Sequence, residues 1–336
     1  MFKKIIAVLL VFGLIGVGAW KVFFSGDKIG DKAEDVITNL QSYYLEANMD
    51  MNKGEEQRKF DVKVSYKKDG DKDYFRVSLK DTMINQEQLM LRNDEGVFVL
   101  TPALNQVYQF KSDWPLNSAK PYIYQSLLDV FKGEYSTKKL SDGTVVTSEP
   151  NYRNSPQYKK QEIKFSKDLK PVWVHLYGEN DEVLVKVTFT KVDTAPSFDA
   201  EHFNLSPNMI QAREDMSNDV NVPIDELPLF PAGSDLVGIE LKENTKSVIN
   251  GEEMFILTYE GESSFTIVQR VAEIYDDMQV ELVNSELIDL IGGVGVFDKN
   301  RLMYTYNGVE YQIYGDDLGL EMFIEIANGM QVVAMK

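Results

Sequence analysis

Apolar residues recur along this chain in three rhythms. From Ile5 to Phe24 they run almost unbroken, interrupted only by Lys21. Twenty residues at a helical rise of 1.5 Å each just cross a hydrocarbon core of about 30 Å. The spacing then becomes helical, with Ala33, Val36, Ile37, Leu40 and Tyr44 on one face and Asp31 as the cap, which predicts a helix from Asp31 to about Tyr44. Beyond it the period falls to two. Phe60, Val62, Val64 and Tyr66 alternate with polar residues, Lys68-Asp69-Gly70-Asp71 makes a tight turn, and Phe75, Val77 and Leu79 return as the second arm of a hairpin. Further strands are predicted at Gln88–Leu91, Val97–Leu100, Gln106–Phe110, Glu162–Phe165, Pro171–Tyr177 and Glu182–Lys191. One helix interrupts them, Pro121 to Phe131, with Gly133 as its stop.

Residues 205–228 carry Pro207, Asn218-Asp219, Pro223 and Pro228, which predicts a linker with one helical turn near Met209–Arg213. After it, strands are expected at Met254–Tyr259, Phe265–Val268, Gln279–Val283, Leu302–Tyr306 and Val309–Tyr314, the last two joined by Asn307-Gly308. Leu320, Phe323, Ile324 and Ala327 predict a closing helix. The expected plan is a membrane anchor at 1–27, a strand-rich domain at 28–206, a linker at 207–226 and a small α+β domain at 227–336.

The anchor rests on Ile5, Leu9, Leu10, Leu14, Val17, Trp20 and Phe24. Lys3 and Lys4 precede it, so the positive-inside tendency keeps the N-terminus cytoplasmic and exports the rest. Lys21 can snorkel to the headgroups, and Trp20 suits the interface. Val17-Gly18-Ala19 would also fit a signal-peptide cleavage site. The bulky Trp20-Lys21-Val22-Phe23-Phe24 that follows favours an uncleaved single-pass anchor in the cell membrane, with the bulk of the chain extracytoplasmic.

Composition removes several chemistries. The chain has no cysteine, so disulfides, thiolate metal sites, cysteine nucleophiles and lipid attachment to a cysteine are excluded. Its two histidines, His175 and His202, make a zinc site improbable. Of the net charge of −18, residues 207–336 hold 24 Asp and Glu against 7 Lys and Arg, while residues 1–206 are nearly neutral. So acidic a half argues against nucleic acid as a partner. It reads first as a solvated surface, and second as a docking face for a basic partner.

No constellation points to catalysis, and no cofactor is expected. Asp69, Asp71 and Asp73 resemble the start of a calcium loop, but Lys80 stands where a bidentate Glu is needed. Asp316-Asp317 precede a helix, where carboxylates satisfy free N–H groups. His175 lies in a strand with no Ser or Asp partner placed by sequence, and His202 reads as a turn residue. The candidate lid and cavity residues are Tyr124, Leu127, Leu128 and Phe131 on the interrupting helix, with Trp173 and Tyr177 on the late strand. Core packing is the preferred reading of that helix over a mobile lid.

The stretch from Val97 through Thr101-Pro102-Ala103-Leu104-Asn105-Gln106 to Trp114-Pro115 is similar to exported proteins of the LolA-like superfamily, above all to GerS-related proteins of spore-forming Firmicutes. Pro171–Tyr177 and Val185–Phe189 resemble the matching late strands, and Leu227 to Val268 resembles the extra C-terminal domain of YdcC-type sporulation proteins. The resemblance covers roughly residues 35–204. It implies a mainly β (α+β) chain: a half-open antiparallel β-barrel with a helical lid, followed by the small α+β domain. It further implies an envelope protein of sporulation or germination that binds a protein partner such as a cell-wall hydrolase. A lipid or lipoprotein carrier holding an acyl ligand, and an envelope-stress regulator of the RseB type, are the alternatives. Relatives of this kind are held by a lipid on a cysteine, so here the apolar segment would take over as the tether.

Overall fold

In a computed structural model of the protein the described residues are 28–53, 56–116, 119–152, 155–216, 227–231, 238–249, 251–290 and 293–330. The expected anchor, Ile5–Phe24, lies outside them. Among the described residues no helix is long and apolar enough to cross a membrane.

The chain is mainly β, with two large sheets and few helices, and neither sheet closes into a barrel. Helix α1 (Lys28–Asn39) leads into β1 (Ser42–Lys53), β2 (Glu56–Asp69), β3 (Lys72–Asp81), β4 (Gln86–Asn93), β5 (Gly96–Thr101) and β6 (Gln106–Phe110). A short helix α2 (Tyr124–Leu128), continued as a 3-10 turn through Lys132, precedes β7 (Tyr135–Lys139), β8 (Gly143–Ser148), β9 (Lys160–Ser166), β10 (Pro171–Tyr177) and β11 (Val183–Asp193). Two antiparallel meanders join where β1 pairs with β11. That leaves β6 and β7 far apart in one sheet, so residues 111–134 must travel across its face to connect them.

The predicted helix from Asp31 to Tyr44 is corrected at its end. It stops at Asn39, whose side-chain amide donates back to the Asp35 carbonyl at 2.8 Å. From Ser42 the chain is a strand held on both sides, and Tyr43, Leu45, Ala47 and Met49 face the core with a period of two. Tyr44, which completed the helical spacing, points to the other face. The expected irregular stretch after residue 205 is also corrected. Leu205–Asp215 forms helix α3, with Pro207 inside the first turn, where its missing N–H costs no helical bond. Met209 and Ala212 press onto Leu89, Leu91, Phe98, Leu100 and Val107. Strands β4 and β5 are thereby buried on both faces, which accounts for the unbroken apolar run from Val97 to Leu100.

The second sheet runs β12 (Ile239–Ile249), β13 (Glu252–Gly261), β14 (Phe265–Val271), β19 (Val309–Tyr314), β18 (Arg301–Tyr306), β17 (Gly293–Asp298), β16 (Glu286–Leu290). Helix α4 (Leu320–Met330) covers one face with Phe323, Ile326, Ala327 and Met330. The opposite face gives Val294 and Val296 to the core of the first sheet, where Leu287 and Met303 also pack. One strand of the acidic half leaves its neighbours altogether: β15 (Gln279–Val283) pairs in parallel with β6 at the edge of the first sheet, from Gln279 opposite Gln106 to Val283 opposite Phe110.

Polar groups fix this junction. Asp81 is 3% exposed and accepts from Arg58 Nη1 at 3.2 Å, from the Met83 N–H at 2.9 Å and from the Tyr306 hydroxyl at 3.5 Å. The Arg58 guanidinium also lies 4.5 Å from the centre of the Tyr306 ring. Removing one member of a buried ion pair typically costs about 3–5 kcal/mol. Asp81→Ala should therefore lower the free energy of unfolding by roughly 3 kcal/mol in urea titration. Asp94→Ala, at an exposed pair with Lys72, should leave the midpoint almost unchanged.

Candidate functional site

Two faces of the first sheet could carry function, and they differ in chemistry. On the inner face, residues 111–134 bring Trp114, Tyr122, Tyr124, Leu127 and Leu128 against the strands, all of them buried. Tyr124 donates its hydroxyl to the Leu169 carbonyl at 3.0 Å and meets Tyr43 edge-on at 5.7 Å. Tyr43 in turn stacks on Tyr66 at 5.2 Å and donates to Gln125 Oε1 at 2.7 Å. Phe131 packs against Tyr135 and Phe165. The inner face is occupied by the chain's own aromatic rings. Toward the start of α1 it opens into a cavity of about 240 Å³ lined by Ile29, Lys32, Lys139, Leu140, Lys167 and Leu169, among others.

Trp173 and Tyr177 stand on the other face. Val174 and Leu176 take the inward positions of β10, so the alternation sends Trp173, His175 and Tyr177 outward as a half-buried stripe. Trp173 stacks on His175 at 4.3 Å, Tyr177 donates to Glu162 at 2.7 Å, and Lys160 lies 4.2 Å above the Tyr177 ring. The structure thus gathers Tyr124, Leu127, Leu128 and Phe131 on one side and separates them from Trp173 and Tyr177 by the thickness of the sheet.

One pairing escaped the sequence. His202 Nε2 lies 2.9 Å from Ser65 Oγ, although 137 residues separate them. His202 stacks on Phe198 at 4.5 Å. The geometry resembles a base beside a nucleophile, but Ser65 is 1% exposed and no substrate could reach its hydroxyl. The pair instead docks the loop before α3, helped by Asn208, which donates to the carbonyls of His202 and Asn204. Asp73 accepts from Tyr66, Asp69 pairs with Lys67, and Asp316 accepts from Asn300 Nδ2 at 2.6 Å. Among the described residues no three His, Asp or Glu side chains group to hold a metal ion.

No family model matches the chain. Sporulation protein YdcC of Bacillus subtilis (strain 168) is 31% identical to it over 318 residues, which is 89% of this chain and 90% of that protein. This chain belongs to the YdcC family. Its fold also has loose likenesses among solved structures. One chain of the MucA/MucB complex of Pseudomonas aeruginosa matches over 89% of this chain and 97% of its own, at 14% identity and a TM-score of 0.33. A lipoprotein-sorting protein domain from Vibrio parahaemolyticus covers 54% and 97%, at 14% identity and a TM-score of 0.30. One chain of the structure of the CwlD amidase from Clostridioides difficile in complex with the GerS lipoprotein matches over 52% of this chain and 95% of its own, at 10% identity and a TM-score of 0.26. Superpositions this loose carry no weight for residue roles.

Two measurements follow for this YdcC-family chain. Leu127 is fully buried, so Leu127→Ala should cost roughly 2–5 kcal/mol of stability in chemical denaturation, a penalty that a freely opening lid would not show. Burial, reinforced by the Arg76 guanidinium, holds the His202 imidazole below its ordinary value of 6.5, against the pull of Asp199. A histidine depressed in this way binds fewer protons folded than unfolded. Its contribution to stability is complete above the unfolded value and is lost as pH falls from about 6.5 toward the folded value. Between about pH 7.5 and about pH 5.5 the melting temperature should fall further in the wild type than in His202→Gln, compared in the same buffers.

Proposed function

We propose that this chain is a membrane-anchored, extracytoplasmic binding or scaffold protein of the cell envelope, engaged in sporulation or germination and working through a protein partner. The observation that carries this reading is membership of the YdcC family, whose Bacillus subtilis member is named a sporulation protein. We read the twelve-stranded sheet as the half-open LolA-like barrel and residues 111–134 as the segment that covers its mouth. Ile5–Phe24 would hold the protein at the membrane in a single pass, with the C-terminal bulk outside. The role is read as non-enzymatic, with a cell-wall hydrolase as the class of partner to which the resemblance points.

The packing supports a scaffold over a carrier. A lipid carrier needs an open apolar interior, whereas Tyr43, Tyr66, Trp114 and Tyr124 fill the inner face here. The second sheet also shares the core of the first through Val294 and Val296, with Leu287 and Met303 packed beside them, which suits a rigid platform better than a pair of opening jaws.

Affinity capture of the full-length protein from detergent-solubilised membranes of sporulating cells tests this. The expected result is stoichiometric recovery of an envelope protein, a cell-wall hydrolase first among them. Capture of none would sink the proposal. Protease added to intact protoplasts should digest the C-terminal bulk; full protection would reverse the proposed orientation.

A further inference from the structure

We propose that the free edge of β15 is where a partner docks, by adding an extended segment of alternating cationic and apolar residues as a further strand of the first sheet. The inference rests on the partner-binding reading above and names the place and the chemistry of that contact.

Among the described residues the edge is unpaired, and it is hydrogen-bonded from behind. Strand β15 ends the twelve-stranded sheet, and among the described residues no strand pairs with its far side. Its near side is clamped. The Tyr275 N–H donates to the Leu104 carbonyl at 3.0 Å and the Gln279 N–H to the Asn105 carbonyl at 2.9 Å. The Asn105 side-chain amide donates to the carbonyls of Tyr275 and Asp276 at 3.1 and 3.0 Å. In a parallel ladder both backbone groups of one residue face the neighbour and both groups of the next face away. Since Gln279 faces β6, the N–H and C=O groups of Val280 and Leu282 point outward. These groups form a preset template for strand addition, with little ordering left to do on binding.

The side chains set this edge apart from the others. Exposed sheet edges are commonly blunted by lysine, and β7 carries Lys138 and Lys139 while β12 carries Lys242 and Lys246. Strand β16 has no lysine, but its side chains are at least half-buried. Strand β15 also has none, yet Val280 is 48% and Leu282 56% exposed on the same face. Charge then selects the occupant. From Val271 to Asp298 the chain holds seven carboxylates and no Lys, Arg or His. Glu281 projects from the face opposite Val280 and Leu282, and Glu273, Asp276 and Asp277 stand in the approach to the strand. A docked segment would place apolar residues beside Val280 and Leu282 and cations beside Glu281.

The probe is a capped, fluorescent Lys-Val-Lys-Val-Lys-Val-Lys peptide, compared with its Glu-for-Lys counterpart, against the full-length protein in detergent. The cationic peptide should bind, weaken with added salt and slow amide exchange across residues 279–283, while the acidic one should not. Val280→Lys and Leu282→Lys, both at exposed sites and checked for unchanged melting, should each weaken binding by roughly tenfold or more. Absence of binding by the cationic peptide, binding unaffected by both substitutions, or amide exchange that does not slow would overturn the proposal. So would a protein that dimerises through this edge and is made monomeric by Leu282→Lys, because the occupant would then be a second copy. Capture from membranes separates this idea from the broader one. A partner retained by Leu282→Lys refutes the edge and leaves the scaffold reading standing, whereas an empty capture with the wild type refutes the scaffold reading itself.

Discussion

The inner face of the first sheet has to be kept from water along its whole width, and the rest of the architecture answers to that requirement. Twelve strands expose far more apolar surface than α1 can shield, and the connection between β6 and β7 has to cross that surface in any case. Residues 111–134 therefore serve as both link and cover, bringing Trp114, Tyr122, Tyr124 and Leu127 against the strands. The second sheet adds Val294 and Val296 to the same cover, and the Val294 N–H donates to the Gln88 side chain of β4 at 2.8 Å. The acidic half is thus a structural component of the first core, and Asp81 and Asn105 secure it with directional bonds where apolar contact alone would leave its position loose.

Several aromatic hydroxyls of these cores each have a partner of their own. Tyr43 finds Gln125, Tyr66 finds Asp73, Tyr124 finds a carbonyl, and on the far side of the second sheet Tyr304 reaches the Ala327 carbonyl. Among the described residues the buried indole N–H of Trp114 and the Nε of Arg270 find no protein acceptor. A core with this many oriented hydroxyls trades adaptability for a single arrangement, since moving one ring strands a polar group in an apolar place. Such a core suits a surface that must stay in one shape while something else binds to it.

Much of the fold could be read from the chain where one face of an element is wet and the other dry. The hairpin of β2 and β3, the strands β6 and β10, and the Asn307-Gly308 turn fall where alternation and turn chemistry put them. Strands without that contrast stayed hidden. Nearly every side chain of β12 is exposed, so it has no apolar rhythm, and β17 is punctuated by Gly293 and Gly295, the first at a φ of 152° that glycine readily adopts. Helix α3 was obscured by Pro207 and two asparagines. Longer-range facts were beyond local pattern altogether. Gln279–Val283 is predicted as a strand, but nothing in those five residues says which sheet it joins. The pairing of Ser65 with His202 likewise depends on topology. The six cavity candidates illustrate the same limit, because an alternating strand reveals that Trp173 and Val174 face opposite ways without revealing which of those faces the helix will cover.

The parallel pairing of β15 with β6 has a consequence for how the protein comes into being. Strand β6 ends at Phe110 and β15 begins at Gln279, so one border of the first sheet cannot be completed until most of the chain has been synthesised. Closing so long a loop is entropically slow, and until it closes β6 itself is a bare margin open to wrong neighbours. Until β15 arrives, pairing within the chain competes with pairing between chains.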